Sequence, residues 1–270
     1  MTYAEVNASR GRVLMITGIW RGTACMAVLL ASAALAGQTS LNALPRRAAI
    51  KVVLVGDSTV AVQGGWGPGF CAHVISPAEC LDLAVNGRSS KSYIDEGLWA
   101  KALEVHGQFY LIQCGHNDQK EQPALHTEPE TTFAENLRRY IRDVREISGV
   151  PVLVTSLSRR NYKDGKLISD PLEQYAAATR KVAAEEHVQV IDLYALSRAL
   201  LQTMTQQQAD RYDATIRPDG KREEGTAMRP DRTHLNELGR EIFGDMMARA
   251  ALQKIPALRR DLAFRSSAEE

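Results

Sequence analysis

Branched apolar residues occur in short unbroken runs, separated by longer stretches whose apolar positions recur three and four apart. The first run, Val52-Val53-Leu54-Val55, stops at Gly56. A run of this length without polar alternation suits a strand buried on both faces, as in a parallel sheet. Comparable runs predict strands over residues 51–55, 81–85, 109–114, 151–157 and 188–193. Helical periodicity fills the intervals at 70–75, 92–105, 132–147, 172–186 and 195–207, and a last helix starts near Asn236. The stretch 132–147 reads as a long amphipathic helix in which Phe133, Leu137, Ile141 and Val144 form one apolar stripe. Strict alternation of strand and helix predicts an α/β fold, a three-layer α/β/α sandwich around a five-stranded parallel sheet of flavodoxin-like layout. The polar stretch 210–229 is longer than an ordinary connection and is expected to form the rim of a site.

The amino-terminal stretch departs from this pattern. Arg10, Arg12 and Arg21 precede an apolar segment, residues 24–36, that ends in Ala34-Leu35-Ala36. A positive region, a short apolar core and a small-x-small terminus describe a secretory leader. About thirteen apolar residues are too few for a comfortable membrane span, which sets the competing reading, an uncleaved anchor, behind it. Met15 is an alternative start. The expected division is a signal peptide over 1–36, a lead-in over 37–49 and one domain over 50–270, with a periplasmic or secreted destination. Cleavage would remove three Arg and one Glu, moving the formal charge from +1 to −1. Neither value suits a dedicated nucleic-acid binder or a membrane-surface protein. A monomer is expected. Of the four cysteines, Cys25 leaves with the leader. Cys71 and Cys80 bracket a short loop and are either bridged or simply buried, and Cys114 would be an unpaired core thiol.

Candidate chemistry gathers where the strands end, the edge at which open α/β sheets carry their sites. Three segments follow predicted strands: Gly56-Asp57-Ser58, Asn86-Gly87-Arg88-Ser89 and Gly115-His116-Asn117-Asp118. A fourth, Asp231-Arg232-Thr233-His234, precedes the last helix. Serine needs a base within hydrogen-bond reach and a group to orient that base. His234 supplies the base, and Asp231, three residues earlier, can hold its tautomer. The Ser58 and Gly87 N–H groups and the Asn117 amide can face a developing oxyanion, Gly87 because a missing Cβ permits close approach. This inventory hydrolyses an ester with no cofactor and no metal. A helix-cap serine is the bland alternative for Ser58, and Asp231 with His234 are the commonplace ligands of zinc. No H-E-x-x-H, Walker sequence or G-x-S-x-G elbow is present.

The four blocks resemble those of the SGNH (GDSL-type) hydrolases, with Ser58, Gly87, Asn117 and His234 in the family's order and Asp-x-x-His intact at 231–234. Within that family the chain looks most like rhamnogalacturonan acetylesterases. Gly56-Asp57-Ser58-Thr59-Val60-Ala61, Gly65-Trp66-Gly67, Gly87-Arg88-Ser89 and Gly115-His116-Asn117-Asp118 carry the likeness, which spans about residues 50–250. The resemblance implies a serine esterase whose partner is an acetylated polysaccharide or oligosaccharide of the pectic type. Asp57, Trp66, Arg88, His116, Arg159 and Arg160 are candidate substrate contacts, with Lys91, Tyr93 and Tyr162 near them. Arginines would pair with uronate carboxylates and aromatic rings would stack on sugars, although solvated charge and ordinary packing explain the same residues. His116 has three readings: substrate contact, orienting group or structural histidine. Two other functions fit the blocks: an esterase for xylan, lipid, aryl ester or thioester, and a catalytically idle sugar-binding module.

Overall fold

The computed structural model describes residues 49–168, 171–215 and 230–264. The expected leader, its Cys25, all of the lead-in but Ala49 and most of the 210–229 loop lie outside these residues. In chain order the elements are β1 (Lys51–Gly56), α1 (Gly67–Cys71), β2 (Glu79–Asp82), α2 (Ser90–Asp95), α3 (Leu98–Leu103) and β3 (Phe109–Gln113). A π-helical turn at Pro129–Phe133 leads into α4 (Ala134–Glu146). There follow β4 (Val150–Val154), β5 (Tyr162–Lys163), β6 (Lys166–Leu167), α5 (Leu172–Glu185), β7 (Gln189–Ile191), α6 (Leu193–Leu201) and α7 (Gln206–Ala209). Next come β8 (Asp213–Thr215), β9 (Pro230–Leu235) and α8 (Glu237–Lys254), and a 3-10 turn follows at Pro256–Arg260.

Five strands form a parallel sheet in the order β2-β1-β3-β4-β7, which is the flavodoxin-like order expected. Gly56 lies beside Gln113, Gln113 beside Val154, and Val154 beside Ile191, so the carboxyl ends of the central strands form one level edge. Alternate side chains of each strand feed opposite cores. Val52, Leu54, Leu111, Val152 and Val154 pack with Phe70, Leu201, Phe243 and Met247 on one face. Val53, Val55, Tyr110, Ile112 and Leu153 pack with Trp99, Leu137, Tyr140 and Val182 on the other.

Cys71 and Cys80 are bridged, joining α1 to the edge strand β2, while Cys114 is a free buried thiol. The single helix expected over 92–105 is broken between α2 and α3 by Gly97, whose φ of +74° no helix accepts. The helix expected over 195–207 divides into α6, which starts at Leu193 under an Asp192 cap, and α7. The hairpins β5–β6 and β8–β9 are additions to the predicted elements. No helix among the described residues is long and apolar enough to cross a membrane.

Candidate active site

Past Gly56 the chain closes into a tight turn. The Asp57 carbonyl accepts from Val60 and Ala61 N–H at 3.1 and 3.0 Å. Asp57 Oδ1 accepts from Thr59 N–H and Oγ1 at 2.8 and 2.7 Å. Thr59 Oγ1 in turn accepts from Gln113 Nε2 at 2.6 Å, and Trp66 Nε1 donates to Gln113 Oε1 at 2.9 Å. This buried network fixes the turn to the end of β3 and leaves Ser58 at its tip, half-buried and facing the cleft.

Asp231 and His234 approach from β9. His234 Nε2 lies 2.7 Å from Ser58 Oγ, and His234 Nδ1 lies 2.5 Å from Asp231 Oδ2. Asp231 Oδ1 accepts from Thr233 and His234 N–H at 3.0 and 3.2 Å. Burial alone would raise this carboxyl, but the hydrogen bonds from the His234 ring and the two N–H groups outweigh it and hold it down to about 2. An ionised Asp231 can only accept, so His234 Nδ1 carries the proton and Nε2 of the neutral ring offers its lone pair to the Ser58 hydroxyl. The tautomer needed to draw a proton from serine is therefore fixed by the neighbouring carboxylate.

Gly87 and Asn117 complete the cluster. The Asn117 amide donates to the Arg88 carbonyl at 3.0 Å, which aligns its plane with the block that carries Gly87. Gly87 has a φ of +78°, and a Cβ added there would meet nothing within 4 Å. The left-handed backbone at this position favours glycine. Neither the Ser58 nor the Gly87 N–H is taken up by a turn or loop acceptor among the described residues. Buried Asp118 ties these segments together, accepting from Ser90 N–H and Oγ, Gly115 N–H and Thr127 Oγ1 at 2.6–3.0 Å. Burial pushes its carboxyl up to about 6 against those donors. Asp118 has a structural part that its place in the Gly-His-Asn-Asp block alone did not indicate.

A cavity of about 590 Å³ is lined by Ser58, Gly87, Asn117, Asp231 and His234, so the five residues proposed from four separate segments share one cleft. Arg159 and His116 also line it, and so does Lys120, which the sequence reading missed although it stands three residues past Asn117 in the same loop. His116 is buried, and its Nε2 donates to the Leu157 carbonyl at 2.9 Å. Burial, with the Arg159 charge nearby, keeps the ring well below its ordinary range and therefore neutral.

Other candidate contacts do not reach the cleft. Trp66 is fully buried, packed edge-on to Phe70 and committed to Gln113, so it cannot stack on a sugar. Asp57 is fully buried beneath the turn it shapes. Arg160 is also fully buried and paired with Asp213 behind the Asp231-His234 segment. Arg88 bends back to Glu96 at 2.7 Å and to the Asn86 carbonyl. Lys91 donates to the Pro123 carbonyl, Tyr93 to Leu83 and Tyr162 to Leu201. Trp66, Asp57 and Arg160 are held by partners inside the fold, whereas Arg88 and Lys91 are engaged at the surface, by Glu96 and the Pro123 carbonyl.

Residues 54–242 match the model of the GDSL-like lipase/acylhydrolase family. The chain belongs to this family. It is a carboxylic ester hydrolase. The chain is 38% identical over 157 residues to the probable rhamnogalacturonan acetylesterase YesY of Bacillus subtilis (strain 168), covering 55% of this chain and 72% of that one. It is 32% identical over 199 residues to the rhamnogalacturonan acetylesterase RhgT of the same organism, covering 70% and 84%. The fold is similar to that of a lipase/acylhydrolase from Enterococcus faecalis, with a TM-score of 0.54 and 17% identity over 81% of this chain and 100% of that one. It is also similar to Axe2, an acetylxylan esterase from Geobacillus stearothermophilus, with a TM-score of 0.51 and 16% identity over 76% and 94%. Among the described residues no group of three or more His, Cys, Asp and Glu side chains is arranged to hold a metal ion.

Proposed function

We propose that this chain is a serine acetylesterase that removes acetyl groups from rhamnogalacturonan. The observation that carries the reading is the unbroken relay from Ser58 Oγ through His234 to Asp231, at 2.7 and 2.5 Å, beside the Asn117 amide. Ser58 Oγ attacks the acetyl carbonyl carbon while its proton passes to His234 Nε2. Asn117 Nδ2 and the Ser58 and Gly87 N–H groups receive the oxyanion. Collapse breaks the ester bond, and His234 returns the proton to the departing sugar oxygen. Water then attacks the acetyl-Ser58 carbonyl, gives a proton to His234, and acetate leaves as Ser58 regains its hydrogen.

The pectic substrate draws support from the relatives and from the charge of the cleft. Lys120 and Arg159 line it, whereas its carboxylate, Asp231, is already engaged by His234. Two cations against a committed carboxylate suit a polymer carrying uronate groups. Acetate release should be measured on acetylated rhamnogalacturonan, acetylated xylan and a small aryl acetate, with Ser58→Ala as control. Release from the pectic polymer that disappears in the variant is expected. Release from xylan alone would transfer the assignment to another acetylated carbohydrate, and sugar binding without turnover would make the chain a binding module.

The enzyme acts outside the cytoplasm in this reading, in the periplasm or beyond the cell. The leader-like pattern ending at Ala36 supports this, as does the Cys71–Cys80 bridge, which persists in oxidising compartments. Amino-terminal sequencing of the exported protein should start at Gly37. Full-length protein in the cytoplasm would overturn the export proposal.

A further inference from the structure

The residue that presents the imidazole stands on an irregular piece of backbone. In the β8–β9 ladder Asp213 pairs with Leu235 and Ala214 with Asp231, so Arg232, Thr233 and His234 bulge out opposite a single step of β8. A bulge re-aims side chains but gives up ladder hydrogen bonds, and among the described residues β8 is the one strand paired with β9. Arg160, from the loop after β4, packs against the bulge. Its N–H donates to the Arg232 carbonyl at 3.1 Å, and its Nη2 donates to the His234 carbonyl at 2.7 Å and, more weakly, to the Asp231 carbonyl at 3.4 Å. Its Nε donates to the carboxylate of Asp213, the first residue of β8. One buried guanidinium therefore grips both strands of the hairpin.

We infer that the Arg160–Asp213 pair is a positioning device that holds the Asp231–His234 bulge in register with Ser58. The inference rests on the proposed serine-esterase mechanism. Folding stability alone explains the pair poorly. Both side chains are fully buried, and among the described residues Arg160 Nη1 and Asp213 Oδ2 have no hydrogen-bond partner. An incompletely satisfied buried ion pair is commonly matched or bettered in stability by apolar residues of similar volume. Burial pushes the Asp213 carboxyl up to about 6 against the pull of Arg160, so the clamp is ionic above that value.

Two variants separate positioning from stability. Arg160→Lys keeps a cation against Asp213 but lacks the planar fork that reaches the two carbonyls. Arg160→Met with Asp213→Leu removes both charges and leaves no unpaired ion to unfold the site. For each, thermal unfolding, kcat and KM on a small aryl acetate, and the downfield proton resonance of His234 Nδ1–H would be recorded. Both variants are expected to fold, with KM within about twofold of the parent, kcat lower by roughly 10²-fold and the His234 resonance weakened or lost, as a misplacement of about 1 Å costs. A folded double variant with parental kcat and resonance would overturn the clamp. If the parent releases acetate from none of the aryl ester, acetylated xylan and acetylated rhamnogalacturonan, the serine-esterase reading fails, and the resonance alone decides whether Arg160 holds His234 in place.

Discussion

A serine hydroxyl is a nucleophile only while its neighbour holds a lone pair towards it, and here that condition traces to the charge of one carboxylate. Asp231 is held at about 2, below its ordinary 3.8, because it accepts from the His234 ring and two backbone N–H groups despite partial burial. A depressed folded-state value adds stability that is complete above the unfolded value and disappears as pH falls through the folded one. The window for this residue therefore runs from about pH 4 down to about pH 2, and the shift corresponds to about 2 kcal/mol. Asp231→Asn should flatten that part of the acid-unfolding curve. At neutral pH its amide would offer a hydrogen to His234 Nδ1, forcing the ring into the other tautomer, and kcat should drop by about 10³–10⁴-fold. Urea unfolding from pH 2 to 5, beside kcat at pH 7 to 8, reads both effects. A steep acid transition surviving in the variant would move that stability to other carboxylates, and a kcat within tenfold of the parent would assign the orientation of His234 to another group.

Elements differed in how openly the sequence displayed them, and burial explains the difference. β1 and β3 were legible because Val52 to Val55 and Phe109 to Ile112 are buried on both faces, which demands the unbroken apolar runs. β2 is an edge strand with half-buried residues and begins at Glu79 instead of residue 81. Its extended backbone still continues past Asp82, since Leu83 and Val85 N–H donate to Leu54 and Gly56 at 2.9 and 3.0 Å. That continuation delivers Asn86 and Gly87 to the edge where the block pattern put them. The bulge in β9 left no periodic trace, although the spacing of Asp231 and His234 announced their hydrogen bond. The failures were of another kind. Polar and aromatic residues beside a site usually face it, yet Trp66, Arg160 and Asp57 are fully buried. Their exposure depends on partners distant in sequence: Gln113 for Trp66 and Asp213 for Arg160. Residue type shows what a side chain can do, whereas burial is set by contacts no local pattern contains.

At the scale of the whole molecule the two ends of the sheet have different work. The carboxyl edge gathers the four segments of the site, and the opposite end carries the covalent tie. Cys80 pairs in register with Val52, four residues before Gly56, and its bridge to Cys71 anchors α1 to the edge strand. The bridge closes a short loop, nine residues in sequence separation. Closing a loop of that size restricts the unfolded chain and stabilises the fold by about 2–3 kcal/mol in the chain-entropy account. Because the tie sits away from Ser58 and from the hairpin bearing His234, its loss should lower stability and leave the chemistry alone. Cys71→Ala with Cys80→Ala should melt roughly 5–10 °C below the parent, with kcat on an aryl acetate within twofold at temperatures where both are folded. The parent treated with a reductant should behave like the variant. An unchanged melting temperature would mean that the reduced chain already holds α1 against α8 through packing such as Phe70 on the Phe243 side of the core. A fall in kcat at full folding would instead show that α1 transmits its position to Ser58, through the Trp66–Gln113–Thr59 network that starts one residue before α1 and ends beneath the serine.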